Sequence, residues 1–460
     1  MTQTPVQPAP SSLQSSVDSS IRTSQAILHA LFGPPAQRAF AVRFWDGSVD
    51  LPAPEQPQFT LILRRPGALR RMLLPPSELA ITEAYLRDDY DVEGSMEALT
   101  NLANGFVSRV GNAKTLARLA WRLRQLPRHD AEEGTLRQKD TARGGRAGFK
   151  GSGGEHSLQR DSAAVRYHYD TGNDFYALWL DSSMVYSCAY FQRGTDDLDT
   201  AQRNKLEHIC RKLRLKPGER LLDIGCGWGG LIRYAAEHYG VEALGVTLSE
   251  AQAALASARI AEAGLSERCR VEVRDYRNLG DLSPFDKVVS VGMFEHVGGP
   301  KLPEYFAIAY RMTKPGGLFL NHGIASPASE AQVPRWNWFA ERLWKPGSFI
   351  NRYVFPDGEL VPPREAIRQG ELAGFETRDV ESLREHYALT LRQWVRRLEE
   401  HHEEAVKQVG EKTYRVWRLY MSGSASGFTN GNLALIQALF SKPDASGHTA
   451  LPLTRADLYA

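Results

Sequence analysis

The sequence predicts an α/β protein, a doubly wound, Rossmann-like and mostly parallel sheet preceded by a smaller N-terminal α+β domain. Three observations predict it. From about residue 161, apolar strand-like runs alternate with helical patterns, the rhythm of parallel strands joined by crossover helices. One strand-to-helix junction, LLDIGCGWGG at 221–230, places glycines at Gly225, Gly227 and Gly229, where a backbone can turn tightly against a ligand. The 460 residues are 42% hydrophobic and 24% charged, a balance that builds a core and disfavours a disordered or fibrous chain.

Taken in chain order, residues 1–24 are rich in Ser, Gln and Pro and are expected to be a disordered tail. They contain neither the basic nor the apolar part of a signal peptide. Residues 25–128 are expected to be a separate N-terminal domain for lipid binding or oligomerisation. Here AVRFWDGSVDL and FTLILRR read as a hairpin or meander around a DG turn. SELAITEAYLRDDY and SMEALTNLANGFVSRV read as helices, the first capped by Ser77. NAKTLARLAWRLRQL is a basic amphipathic helix, and residues 101–160 hold 12 Lys/Arg against 5 Asp/Glu. Packing on its own domain with a solvated Arg face is the favoured reading; contact of 114–150 with an anionic membrane is the other. Residues 129–160, containing GGRAGFKGSGG, read as a flexible basic linker.

The main domain then runs from 161 to 460. RLLDIG, VEALGVTL, RVEVRDY, FDKVVSVGMF and GGLFLNHGI read as strands. GLIRYAAEHYG, SEAQAALASARIAEAG and KLPEYFAIAYRMTKPGG read as helices. A Trp/Pro-rich insert over 325–363 is followed by a strand near 375–381 and helices to about 441. A net charge of +2 gives no field for nucleic acid. No apolar run approaches the roughly 20 residues of a membrane span. Four cysteines (188, 210, 226 and 269) without a CxxC pair disfavour a disulfide framework and a zinc site. The expectation is a soluble cytoplasmic protein with no metal, touching membrane only at its surface.

The glycine loop alone also fits a dinucleotide enzyme. Two details favour S-adenosylmethionine over nicotinamide. Asp223, two residues before the first glycine, suits a cationic amino-acid ligand and sits badly beside a pyrophosphate. The next strand ends in VEALGVTLSEAQ, with Thr247 where a nicotinamide site expects an acidic residue. Ser249 and Gln252 have the spacing of a capping box, so Gln252 has a structural role available to it.

Before the sheet, eight of the 25 residues from 167 to 191 are Tyr, Phe or Trp, about three times the chain average. Asp170, Asn173, Asp174 and Cys188 interrupt them, as polar groups interrupt a pocket lining. HYDTGNDFYALWLDSSMVYSCAYF, LLDIGCGWGG, GVTLSEAQ, GMFEHVG, the HGI of 322–324, YVFPDGEL and HYALTLRQW follow in this order. Together they resemble the cyclopropane-fatty-acid synthase family, including the mycolic acid cyclopropane synthases, over about 161–441. Residues 36–128 are similar to the extra N-terminal domain of its longer members.

The resemblance implies a class I methyltransferase fold that moves a methyl group from S-adenosylmethionine to a cis double bond of an acyl chain. The carbocation then loses a proton and closes a cyclopropane. An exocyclic methylene, later a methyl branch, is the alternative ending, and a non-catalytic lipid-binding module a further one. It implies that Tyr186, Ser187, the loop with Asp223, Gly225, Cys226, Gly227 and Gly229, then Thr247, Leu248 and Gln252, and Asp275 with Tyr276 contact the cofactor. It implies a bicarbonate base cradled by Cys188, Glu295, His322, the backbone of Ile324 and Tyr387; for His296, beside Glu295, a role in placing that carboxylate and a purely structural one are both open. Unsaturated phospholipid acyl chains are the implied partners, reached from the inner membrane face, and a homodimer is open.

Chemistry agrees with that assignment. An alkene is a poor nucleophile, so rate must come from orientation and from stabilising positive charge, which aromatic faces do without attacking it. A held anion supplies a base without exposing a nucleophilic side chain. The sequence departs from many members at MSGSASGF, where Ser424 replaces a Cys, so a scheme requiring that thiol is excluded. His401, His402, Glu403 and Glu404 read as a solvated helix face.

Overall fold

A computed structural model describes residues 12–52, 56–104, 113–128, 171–327, 348–355, 358–449 and 451–458. The chain divides into two units. The first comprises Met1–Arg146, Gln332–Ile350 and Gly410–Leu419, and the second Ala147–Ala331, Asn351–Val409 and Tyr420–Ala460.

In the first unit, helix α1 (Ser12–Phe32) corrects the tail expected through residue 24. Composition hides the cause. Ser24, Ile27, Leu28 and Leu31 recur at helical spacing and are all buried, so a narrow apolar stripe is enough to order a polar segment. Strands β1 (Ala41–Arg43) and β2 (Val49–Asp50) pair as the expected hairpin, with Asp46 accepting from the Ser48 backbone N–H at 2.9 Å. Strand β3 (Phe59–Leu63) runs parallel to β1, which rules out a meander.

Helices α2 (Ala68–Leu73) and α3 (Glu78–Leu86) follow, the latter capped by Ser77, whose side chain accepts from Ala80 N–H. Strand β4 (Tyr90–Gly94) completes a sheet of order β2-β1-β3-β4, with α4 (Met96–Asn104) and α5 (Ala113–Gln125) after it. In α5, Leu119 and Leu123 are buried, so the basic helix packs on its own unit, as favoured. Trp121 remains 62% exposed beside exposed Arg118 and Arg124. The linker and most of the stretch 114–150 lie outside the described residues.

The second unit opens with α6 (Asn173–Ala177) and α7 (Leu198–Leu213), then alternates β5 (Arg220–Ile224), α8 (Gly230–Tyr239), β6 (Glu242–Thr247), α9 (Glu250–Glu262) and β7 (Cys269–Val273). It continues through β8 (Phe285–Val291), α10 (Leu302–Met312), β9 (Thr313–Ala325), α11 (Pro363–Leu372) and β10 (Glu376–Ser382). Helices α12 (Arg384–Glu400) and α13 (His402–Thr429) and strand β11 (Ala434–Ser441) close it. The sheet order is β10-β11-β9-β8-β5-β6-β7. The strands are parallel except β11, which pairs antiparallel with both β9 and β10.

β11 corrects the expectation of helix to about 441. LALIQALF is a short apolar run that periodicity cannot assign, and it is buried on both faces in the sheet interior. Alternation along the strands sorts the core. Leu222, Ile224 and Phe319 face one layer, whereas Leu221, Leu318, Leu320 and Leu439 face the layer beneath α7 and α8. Asp223, His322 and Gln437 share the second face by the same period of two.

Helix α13 is broken at Gly410 (φ 79°, ψ 157°), and the residues up to Leu419 belong to the first unit. There the Arg415 guanidinium donates to the Tyr85 carbonyl (3.0 Å), Asp88 (2.8 Å) and Asp91 (3.0 Å) and lies 4.8 Å above the Tyr85 ring. Arg415→Met is expected to destabilise the protein by about 1.5–3 kcal/mol by removing charge-assisted hydrogen bonds to Asp88 and Asp91. A urea midpoint equal to that of the unaltered protein would contradict this.

Candidate active site

Chain order reverses between β5 and β8: β6 and β7 build outward on one side, β8 and β9 on the other. A crevice opens beyond the strand ends at such a point. The loop after β5 turns with positive φ at Gly225 (86°), Gly227 (54°) and Gly229 (76°). Gly225 is also needed for room, since a Cβ there would meet Met293 Cβ at 2.9 Å. Its N–H and that of Cys226 both donate to the Val246 carbonyl. The Cys226 side chain is buried towards Gly245, so this residue offers the crevice only backbone.

Asp223 ends β5 buried, and its Oδ1 has no hydrogen-bond partner among the described residues. Burial pushes its pKa up to about 7, against the pull of Lys205. Lys205, on α7, is itself buried, is pushed down to about 8 by that burial, and donates to Ser187 Oγ at 2.9 Å. Sequence reasoning missed this lysine, because a Lys in LDTAQRNKLEHICRKL reads as part of a wet face. Its electrostatic neighbours include Asp181, Cys188 and Asp223.

Thr247 and Gln252 meet directly, the threonine hydroxyl donating to the Gln252 side-chain carbonyl at 2.8 Å. Ser249 caps α9 by accepting from Gln252 N–H, but the reciprocal half of the capping box is replaced by that threonine bond. Leu248 is half-buried between them. Asp275 and Tyr276 follow β7; the Asp275 carboxylate is held by its neighbour Arg277 through Nε (2.9 Å) and Nη2 (2.7 Å). The Tyr276 ring meets Tyr305 edge-on at 5.7 Å.

The aromatic segment closes over this crevice. Trp228 Nε1 donates to Asn173 at 2.8 Å, which ties the glycine loop to α6. Ring centroids run Trp228–Tyr176 (5.0 Å), Tyr176–Tyr186 (5.6 Å), Tyr186–Trp394 (5.2 Å) and Trp394–Tyr387 (5.9 Å). Tyr387, on α12, ends this chain of rings, edge-on to Trp394 and 4.7 Å from the Phe428 ring. Tyr420, another residue missed in the sequence, faces the hydroxyls of Tyr186 and Ser424 and the charge of Glu295. Asp170 lies outside the described residues.

Glu295 and His296 sit in a single 3-10 turn after β8, Phe294–His296. The turn is pressed onto β9, where a Cβ at Gly323 would meet the Phe294 ring at 2.9 Å. The Glu295 carboxylate faces the backbone N–H of Ile324, while its Oε2 is buried without a partner among the described residues. Burial pushes it up to about 7. His296 is pushed down to about 4 by burial and lies 5.3 Å from the Phe355 ring.

His322 is buried on β9, its Nδ1 3.2 Å from the Gln437 amide nitrogen and its Nε2 unpaired among the described residues. Burial, then the charges of Lys205 and Lys212, hold it down at about 3, so it is neutral. The fully buried Cys188 thiol, raised by burial, points to the carbonyls of Ala189 (3.2 Å) and Leu383 (3.7 Å). It shares with His322 the electrostatic influence of Lys205 and Glu381. The Glu295 carboxylate thus meets β9 at the Ile324 N–H, two residues along the strand from His322. Cys188 enters from the aromatic segment, and His401–Glu404 lie exposed elsewhere.

Among known proteins, a family model described as mycolic acid cyclopropane synthetase matches residues 156–438, and one described as a domain of unknown function matches 27–107. The chain is 47% identical to a probable fatty acid methyltransferase of Pseudomonas putida, over 66% of this chain and 75% of that one. It is 36% identical to a probable fatty acid methyltransferase of Mycobacterium tuberculosis, over 94% of this chain and 98% of that one. The crystal structure of mycolic acid cyclopropane synthase CmaA1 complexed with SAH and CTAB aligns with a TM-score of 0.56 at 34% identity. That match covers 61% of this chain and 98% of the other.

Proposed function

The chain belongs to the mycolic acid cyclopropane synthetase family, and from that premise we propose that it methylates the cis double bond of an unsaturated fatty acyl chain and closes it to a cyclopropane. One observation carries the reading: Asp223 Oδ1, Glu295 Oε2 and His322 Nε2, three buried polar atoms lacking partners among the described residues, belong to residues near the C-terminal ends of β5 and β9 and in the turn after β8. Buried polar atoms cost free energy unless a ligand pairs them.

S-adenosylmethionine would supply an electrophilic methyl on a sulfonium. Asp223, with the backbone of Gly225–Gly229 and the Thr247–Gln252 pair, fits its cationic amino-acid end and ribose. The relative solved with SAH, its demethylated form, supports the same ligand. Tyr176, Trp179, Tyr186 and Trp394 exclude water and turn aromatic faces to a developing cation. When the methyl bonds to one alkene carbon the other becomes cationic; loss of a proton from that methyl leaves the electron pair that closes the ring.

The cradle fits bicarbonate. Glu295 Oε2 offers an acceptor and a protonated His322 Nε2 a donor, Lys205 and Lys212 favour negative charge near the imidazole, and the Ile324 N–H holds Glu295 in place. Bicarbonate held there would supply the base. Lys205 stays mostly protonated at neutral pH and hydrogen-bonded to Ser187, which keeps its amine from competing for the methyl.

Incubation with methyl-labelled S-adenosylmethionine and an oleoyl phospholipid is expected to yield an acyl chain heavier by one CH2; no labelled lipid from any unsaturated substrate would sink the reading. Two relatives named as probable fatty acid methyltransferases favour a second ending, in which a different proton leaves and a methylene branch forms. Proton NMR of the product separates ring from vinylidene protons.

The N-terminal unit we assign to docking on anionic membrane through Arg118, Trp121 and Arg124 of α5. Each basic group near such a surface contributes about 1 kcal/mol. Trp121→Ser with Arg118→Glu and Arg124→Glu is expected to abolish co-sedimentation with anionic vesicles at low salt, and unchanged sedimentation would refute it.

A further inference from the structure

His322, Gln437 and Glu381 stand in one row across three neighbouring strands. In register, His322 of β9 pairs with Gln437 of β11, and Gln437 pairs with Glu381 of β10. The row lies under α7. From that helix His208 Nε2 contacts Glu381 at 2.7 Å and Lys212 Nζ donates to it at 2.6 Å. Gln437 is completely buried, and the only hydrogen bond of its side chain among the described residues is to His322 Nδ1 at 3.2 Å. A glutamine in the middle of an apolar strand bears a desolvation cost that packing does not offset.

We propose that Gln437 is a positioning residue for the reaction: its amide N–H donates to Nδ1 of His322 and fixes the neutral imidazole with its proton on Nε2, so that the anion cradle receives a donor in place of a lone pair. The inference rests on the reading of that corner as an anion site. Which nitrogen of a histidine carries the proton is set by the bond the other nitrogen makes. A lone pair on Nε2 would meet an anion held beside it with like charge. The second amide group of Gln437, Oε1, has no partner among the described residues, so the amide is held by the imidazole alone.

The charged groups facing the imidazole are Lys205, Lys212 and His208 from α7 and Glu381 from β10. They leave its neutral form dominant, so its tautomer, and not its charge, is what Gln437 can set. Glu381 in turn is occupied by His208 and Lys212, which leaves it unable to take the Nδ1 position.

The test uses the full chain with 15N-labelled histidine, the His322 resonances being those lost in His322→Asn. The unaltered protein is expected to show proton-bearing Nε2 and bare Nδ1. Gln437→Leu is expected to mix the tautomers and to raise the bicarbonate concentration needed for half-maximal methylation roughly tenfold, the usual scale for removing a residue that orients a histidine ligand. Affinity for S-adenosylmethionine should not move. Gln437→Glu, nearly isosteric, should move the proton to Nδ1 and weaken bicarbonate dependence likewise. A proton on Nδ1 in the unaltered protein overturns the proposal, as does a folded Gln437→Leu with unchanged bicarbonate dependence. An Nε2–H tautomer in an enzyme indifferent to bicarbonate upholds the tautomer assignment and overturns the anion reading.

Discussion

Glu295→Gln is expected to lower turnover by about 10²–10⁴-fold, the range spanned by a positioned acid–base group, while leaving S-adenosylmethionine bound. The change is nearly isosteric and keeps an oxygen for the Ile324 N–H. What it removes is a group poised near neutrality: burial raises Glu295 to about 7 against the opposing backbone N–H of Ile324. The rate–pH profile of the unaltered enzyme should therefore bend near pH 7, and the Gln variant should lose that bend with its rate. Stability should move the other way. The folded pKa lies above the ordinary value of 4.5. Between these values the folded state keeps a proton that the unfolded chain releases, and stability falls as pH rises through that window. Glu295→Gln removes the fall, so its urea midpoint should gain on that of the unaltered protein between pH 5 and 8. Initial rates with labelled donor and paired urea titrations check both signs; a variant with normal turnover would remove Glu295 from the mechanism.

Asp223→Asn is expected to weaken S-adenosylmethionine binding about 10- to 100-fold, the scale of a lost charge-assisted hydrogen bond of roughly 1.5–3 kcal/mol. Burial holds Asp223 at about 7, so a cation arriving at Oδ1 should expel a proton at pH 6–7. Calorimetry in buffers of different ionisation enthalpy reads that release directly. It should vanish in the Asn variant, and release unchanged by the substitution would place the linked group elsewhere.

Sequence alone gives the sheet from β5 to β9 because each strand there is bounded by glycine or a capped helix, and Ser77 and Ser249 cap as their spacing predicts. β11 escapes it because eight residues of mixed apolar type fit helix and strand equally. α1 escapes because its buried stripe is diluted by serines. At the site, the glycines and the Glu295 turn announce themselves by pattern, whereas Lys205, Gln437 and Tyr420 have none. A lysine among helix charges and a tyrosine in an apolar helix look ordinary. Gln437 did leave one trace, a lone amide inside an apolar run, which burial makes costly unless something accepts or donates to it.

The break at Gly410 has a consequence for synthesis. Asp88 and Asp91 leave the ribosome more than 300 residues before Arg415. At about 5–20 residues per second that is an interval on the order of tens of seconds. Through it Asp88 and Asp91 rest on Arg64, at 3.6 and 3.2 Å, and the Arg415 guanidinium joins them only once the stretch after Gly410 is made.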